Sequence, residues 1–437
     1  MVKVMTNLEL PEYAVPEANR IPVSGHLATM TDIPPSRMFT IKEALATYRQ
    51  KAGADAPVYD ASQGDGGASL PGVPQYILEM ALEIQIEHGT GYDKPFGTEL
   101  FRQTAAENYW HLDSSTGWGP GNIIFAQGGR DALQKAYTAM SFLGHGRIGD
   151  LIVVSRVPWI SYNWGPYGVG LNVMRAPGDP EQGWRYTPEG IQACVTMAEK
   201  DGRKIAGIVI TSPDNPTGRT VPLEEQIMLG KTAIAAGIPF VLYDWMYHYV
   251  TDGEPSDINK LLNAFTPEER KSIMVLDGIT KSLGASNIRS AHLLADTKVI
   301  KFINSQSSHG VIPSFYAQAV AIAAYRQGFA EAASSIIEPC SASRKVLRGV
   351  LEENNFKFVM GDGYYAFIDL TSYIEAGGFD SSEGIGQYLG EEHGIAVVPG
   401  AFFSDAGANW VRFSYALPPE RTEAAAKQLL KGLSALG

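Results

Sequence analysis

The stretch Ile273-Met274-Val275-Leu276-Asp277-Gly278-Ile279-Thr280-Lys281 sets an apolar run of strand length against a glycine turn and a lysine, with Arg289 eight residues further on. Four other short apolar runs end in the same way. Ile123-Ile124-Phe125 leads to Gly128-Gly129-Arg130, and Leu151-Ile152-Val153-Val154 leads to Pro158-Trp159. The run from Ile205 to Ile210 leads to Asn215-Pro216-Thr217-Gly218, and Phe240-Val241-Leu242-Tyr243 to Asp244-Trp245-Met246-Tyr247. Runs that are apolar throughout, rather than alternating, belong to strands covered on both faces, as parallel sheets are. With helical patterns between them from about residue 120 to 300, they predict an α/β fold with an open, mainly parallel sheet in a large domain. Ligands of such sheets gather beyond the carboxyl ends of the strands. Every polar motif falls there, so the predicted strand ends converge on one site.

The last hundred or so residues change character. A helical pattern from Ser341 to Asn354 runs into Tyr364-Tyr365-Ala366-Phe367-Ile368-Asp369, then Ile395-Ala396-Val397-Val398-Pro399-Gly400, then Val411-Arg412-Phe413-Ser414-Tyr415. An amphipathic helix from about Pro419 closes the chain. These segments predict a smaller α+β domain built by the N- and C-terminal parts. The expected division is an N-terminal arm and part of the small domain over residues 1–70, a large ligand-binding domain over 71–325, and the C-terminal small domain over 326–437.

A chain of 437 residues can bury a substantial core without staples. Its two cysteines, Cys194 and Cys340, lie far apart in no metal-like spacing, so no disulfide framework or metal site is expected, and a reducing cytoplasm fits. Met1 to Leu10 lacks the charged start and apolar run of a secretory signal, and no apolar run reaches membrane-spanning length. The net charge of -12 is spread along the chain, which argues against nucleic acid as a partner.

Together the motifs supply what a protein needs to hold pyridoxal phosphate. Lys281 is the amine for the aldehyde, because a primary amine forms a reversible imine and can carry a proton once displaced. Arg289 can reach the phosphate with a two-pronged guanidinium. Asp244 closes an apolar strand, where an unpaired carboxylate is costly and a protonated pyridine nitrogen would pair it; such a residue can also simply cap the next turn. Tyr247 and Asn215 can share the ring's phenolate oxygen, the latter aimed by a turn that two prolines and a glycine fix. Gly128-Gly129-Arg130 opens a helical pattern whose free amides would face the phosphate. Trp159 offers a flat face to the ring, although a tryptophan is more often simply core.

Order and completeness of this set make the chain resemble the fold-type I pyridoxal phosphate enzymes, and among them the class I/II aminotransferases of the aspartate aminotransferase type. The resemblance runs from about Pro34-Pro35-Ser36 to the C-terminus. It implies a Schiff-base lysine at Lys281 and ring pairing by Asp244. It also implies oxygen contacts from Asn215 and Tyr247, stacking by Trp159, and phosphate contacts from Gly129, Arg130, Thr280 and Arg289. Arg412 is implied to bind the substrate's α-carboxylate, and Gly64 to approach the substrate with its backbone. Tyr92 is implied to reach the phosphate of a neighbouring subunit, which makes the protein a homodimer with shared sites.

The leading expectation is amino-group transfer from an α-amino acid to a 2-oxo acid. The alternative keeps the same site but ends in elimination or ring closure, as in a lyase or cyclase. A regulator built on the same domain would carry a DNA-binding segment ahead of it, for which the chain has too few residues. Two departures stand out: Asn287 where the family usually has glycine two residues before the arginine, and Ser290-Ala291-His292 where a glycine-and-aromatic pattern is usual. Their position in sequence puts both near the cofactor, where a change would alter substrate or reaction specificity.

Overall fold

Each of the five apolar runs is a strand, buried over nearly its whole length, in the computed structural model, which describes residues 10–17, 20, 21, 23 and 37–437. In chain order the strands are β1 (Glu12–Tyr13), β2 (Tyr59–Asp60), β3 (Ile123–Ala126), β4 (Leu151–Val154), β5 (Asn172–Arg175), β6 (Ile205–Thr211), β7 (Val241–Asp244), β8 (Ile273–Gly278), β9 (Ala291–Ala295), β10 (Phe358–Met360), β11 (Tyr365–Asp369), β12 (Ile395–Ala396), β13 (Val398–Pro399) and β14 (Trp410–Ser414). Eight of them form one sheet in the order β1-β5-β4-β6-β7-β8-β9-β3. The pairs from β5 to β8 are parallel, while β9 runs antiparallel to β8 and β3, and β1 antiparallel to β5. The α/β fold with a mainly parallel sheet is therefore present.

Alternate residues of the strands enter two separate cores. Phe125, Val153, Ile208, Val241 and Val275 pack on one face of the sheet, and Ile124, Ile152, Val209, Leu242 and Met274 on the other. Burial on both faces is what the absence of polar alternation required.

The smaller sheet, β10-β11-β14-β13, is antiparallel, and β12 pairs with β2 beside it. The helices Ser334–Glu353 and Pro419–Ser434 pack together here, and the helix Phe39–Ala52 packs on the helix Ser382–His393. Part of the N-terminal region thus belongs to this unit. Glu12–Tyr13 does not: it adds an edge strand to the large sheet. Pro34-Pro35-Ser36 and most of the first thirty residues lie outside the described residues.

Strands β5 and β9 escape the reading of apolar runs because each carries a polar residue inside the core. Asn172 is wholly buried and answers the backbone of Ile21 and Gly149, and His292 is wholly buried against Trp110. No helix among the described residues is long and apolar enough to cross a membrane.

Candidate active site

The carboxyl ends of β3, β4, β6, β7 and β8 open into a cavity of about 1280 Å³, closed on one side by Gly64, the 401–405 segment and Arg412 of β14. Gly64, Gly129, Arg130, Trp159, Asn215, Asp244, Tyr247, Thr280, Lys281, Arg289 and Arg412 all line it. Tyr92 lies apart from it, 97% exposed.

Lys281 stands on the single turn Ile279–Ser282 that follows β8. Its Nζ donates to the Gly64 carbonyl and lies 5.9 Å from the centre of the Tyr247 ring. Its own carbonyl is held by the Tyr364 hydroxyl at 2.6 Å. The Tyr247 hydroxyl pairs with that of Tyr365 at 2.8 Å, and Tyr365 in turn fills the space where a side chain on Gly64 would stand: a Cβ there would meet its hydroxyl at 1.7 Å. Only glycine lets backbone, lysine and tyrosine meet at this point.

Asp244 ends β7 and is 4% exposed. It accepts from Tyr162 Oη at 2.5 Å and from the Met246 amide at 3.1 Å. Burial pushes its carboxyl up from 3.8 to about 6, against these two donors, so a cationic partner in the cavity would relieve a costly charge. Asn215 accepts from Arg412 Nη1 at 2.8 Å on its side-chain oxygen, which leaves its amide nitrogen as the donor.

The end of the cavity beside Gly128 and Arg289 has a different character. Gly128, at φ 83°, precedes the helix Gly129–Ala139, and a Cβ on it would run into the Arg289 guanidinium at 2.2 Å. Arg289 itself has φ 62°, a left-handed conformation that costs a non-glycine residue about 1–3 kcal/mol. Among the described residues it makes only carbonyl contacts, to Ser286 at 2.8 Å and Gln127 at 3.2 Å, so none of them neutralises its charge. The hydroxyl of Thr280 is buried without a partner. Free helix amides, an unpaired guanidinium and an orphaned hydroxyl make a dianion cradle.

At the substrate side, Arg412 is 4% exposed, donates from Nη2 to the Ser62 carbonyl at 2.8 Å, and has a buried Nε with no partner. Trp159 is half-buried, with Arg130 5.5 Å over its ring and Tyr162 edge-on to it.

Several site residues were missed by sequence reasoning. Tyr162, three residues after Trp159, is one; its bond to Asp244 is a tertiary fact. Arg175 lines the mouth, bound to Asn163 and, through Glu12 at 3.0 Å, to β1. Asn163 donates to the Phe403 carbonyl at 2.9 Å, tying the helix after β4 to the overhanging segment.

One expectation needs correction. His292 does not face the cofactor site: it points into the opposite core, where burial pushes it down to about 3 and it accepts from Trp110 Nε1 at 2.7 Å. A strand alternates its faces, so nearness in sequence to Arg289 did not carry over into space. Asn287 is exposed on the turn before Arg289.

The cavity's donor set fits pyridoxal phosphate: an amine, a buried carboxylate that needs a cation, two oxygen-directed donors, an indole and a dianion cradle meet in one space. The profile of the family "Aminotransferase class I and II" matches residues 64–429. An aspartate aminotransferase of Geobacillus stearothermophilus is 25% identical, the match covering 84% of this chain and 91% of that protein. A probable aspartate/prephenate aminotransferase of Aquifex aeolicus is 25% identical over 94% of this chain and 98% of its own. Among solved structures, a double mutant of Thermus thermophilus aspartate aminotransferase matches with a TM-score of 0.77 at 23% identity, covering 92% of this chain and 97% of that one.

Proposed function

Because the chain belongs to the class I and II aminotransferases, and so moves an amino group from an α-amino acid to a 2-oxo acid with pyridoxal phosphate, we propose that Lys281 is its catalytic amine and that its amino donor is dicarboxylic. The lyase or cyclase alternative is not favoured, since the family and the named relatives are aminotransferases.

The observation that carries the donor class is a count of cations. Five arginines line the cavity. Arg37 and Arg175 are paired to Glu383 and Glu12, whereas Arg130, Arg289 and Arg412 have no carboxylate partner among the described residues. Three unpaired guanidiniums suit three anions: Arg289 the cofactor phosphate, Arg412 the α-carboxylate, and Arg130 a second carboxylate, while its backbone amide stays with the phosphate cradle. Relatives named as aspartate aminotransferases agree with that reading.

When bound, the cofactor supplies an aldehyde carbon for the amine and an electron-withdrawing ring. Asp244 would hold a proton on the ring nitrogen, with Tyr162 fixing the orientation of its carboxylate. Asn215 and Tyr247 would donate at the ring oxygen, and Trp159 would cover one face of the ring. Arg412 and Arg130 would grip the donor at its two ends, which orients the α-hydrogen toward Lys281. Lys281 Nζ, guided by the Gly64 carbonyl, would take that proton and deliver it to the carbon that receives the amino group.

A second copy of the chain would complete the site. Tyr92 is almost fully exposed, and Leu82 and Ile86, one turn apart on the helix Gln75–His88, are exposed with Val311. Such apolar exposure suits a homodimer in which Tyr92 reaches the partner's phosphate. Cys194 and Cys340 are buried and unpaired, in keeping with a reducing cytoplasm.

The test is a single turnover of holoenzyme with each of a panel of amino acids and no acceptor. L-Aspartate or L-glutamate should convert the cofactor stoichiometrically to its amine form with release of the 2-oxo acid. Faster conversion by neutral or aromatic donors than by both acidic ones would refute the donor class.

A further inference from the structure

Behind the cavity floor lies a second polar cluster that the mechanism above does not use. The strand ends serving the cavity also turn residues the other way: His248 follows Tyr247, and Asp277 precedes Lys281 by four positions. Both are buried, Asp277 completely. Asp277 accepts from the Gly278 amide at 2.6 Å and from Tyr109 Oη at 2.7 Å, and its Oδ2 lies 3.1 Å from His248 Nδ1. The other ring nitrogen of His248, Nε2, is 2.7 Å from the Ser256 carbonyl.

A carbonyl only accepts, so Nε2 carries hydrogen. An ionised carboxylate also only accepts, so the pair holds one proton more than a neutral imidazole beside a carboxylate. The ring is sandwiched between Trp110, 5.4 Å away at 25°, and Trp245, 4.9 Å away at 27°. Burial raises the Asp277 carboxyl, against the donors on its two oxygens. The remaining titratable neighbours are neutral: burial raises the phenols of Tyr109, Tyr249 and Tyr325, and His292 is kept unprotonated by burial and by the Trp110 bond. Asp244 feels the charge of Asp277.

We propose that the bond between His248 and Asp277 staples the strand end bearing Asp244 and Tyr247 to the strand end bearing Lys281. His248 and Asp277 are then positioning residues. Asp277 passes the constraint on through the Gly278 amide, at the start of the turn that carries the lysine. A Cβ on Gly278 would meet the backbone of Ala291 and Ser290 at 2.6 Å, so this turn is wedged against β9 as well.

The kinetic part of this inference rests on the assignment of Lys281, and the spectroscopic part does not. Proton NMR of wild-type holoenzyme should show one strongly downfield exchangeable proton, held in the bond between His248 and Asp277, and it should vanish in His248→Gln. Should that variant not fold, Asp277→Asn serves instead, keeping the acceptor for Gly278 and losing the charge; it should lose the same signal. A spectrum without that proton, or one in which it survives Asp277→Asn, overturns the proposal. In kinetics, Asp277→Asn should lower kcat about 10- to 100-fold with little change in KM for the donor, as expected when a reacting group is misplaced. Adding His248→Gln should lower it little further. A folded Asp277→Asn holoenzyme with wild-type kcat would overturn the positioning role while leaving Lys281 in place.

Discussion

At the floor of the cavity, Asn215, Asp244, Tyr247 and Lys281 each stand at or just past the end of a buried strand, whereas at its mouth Arg175, Asn163 and Phe403 meet from stretches up to 240 residues apart. On the proposed reading the floor holds the cofactor and does the proton chemistry, and the mouth meets the part of the substrate that differs between donors. A strand end fixes where a side chain begins, so few sequence solutions serve the floor. A mouth assembled by tertiary contacts can change its residues one at a time without disturbing the sheet. Damage at the floor should therefore remove chemistry, and damage at the mouth should redirect it.

The largest effect should come from Lys281→Ala. Turnover should fall about 10⁴-fold or more, the upper range for loss of a positioned acid-base group, with an unchanged urea midpoint for the cofactor-free protein. Residual activity within tenfold of wild type would place the amine elsewhere. Arg412→Lys keeps charge but loses the fork that bonds Asn215, Ser62 and a carboxylate. It should cost about 2–4 kcal/mol in kcat/KM with cofactor affinity nearly intact, and equal weakening of cofactor and donor would move this arginine out of the substrate site.

How much of this was legible follows the same division. The apolar runs before Gly128, Pro158, Asn215, Asp244 and Lys281 had no polar alternation, so strand, burial and site could be read together. Strands β5 and β9 could not be read so, because Asn172 and His292 interrupt them with polar groups whose partners come from distant segments. The same cause hid the mouth. Nothing in Glu12 announces that it will bridge Arg156 and Arg175 across an edge strand. His292 was misread for a related reason: its sequence neighbour Arg289 belongs to the site, but β9 turns the histidine to the far face.

A smaller effect, and one of direction, is expected at the mouth. Arg130→Met should leave neutral donors nearly unaffected and cost acidic donors about 1.5–3 kcal/mol, the worth of a hydrogen bond to a charged group. The ratio of kcat/KM values for L-aspartate and L-alanine measures it; an unchanged ratio would assign Arg130 wholly to the phosphate.

The smallest effect contrasts stability with activity at the floor. In the cofactor-free fold the Asp244 carboxyl is raised by burial from 3.8 to about 6, so the native state holds a proton that the unfolded chain releases. Its contribution to stability is whole below about pH 4 and is lost as pH rises through about 6. Asp244→Asn, which cannot ionise, should therefore make the cofactor-free protein more stable than wild type at pH 7.5 by about 1–3 kcal/mol, the two converging near pH 4. The same variant should slow single turnover. Urea titrations at the two pH values decide it, and a variant less stable than wild type at the higher pH would contradict a costly buried charge.

The central claim, that the lysine after β8 holds the cofactor in the space where five strand ends meet, is tested most directly by borohydride reduction of the holoenzyme followed by peptide mapping. One cofactor per chain should be fixed covalently to Lys281, and none to Lys281→Ala. An adduct on another lysine, with Lys281 recovered unmodified, would contradict the account.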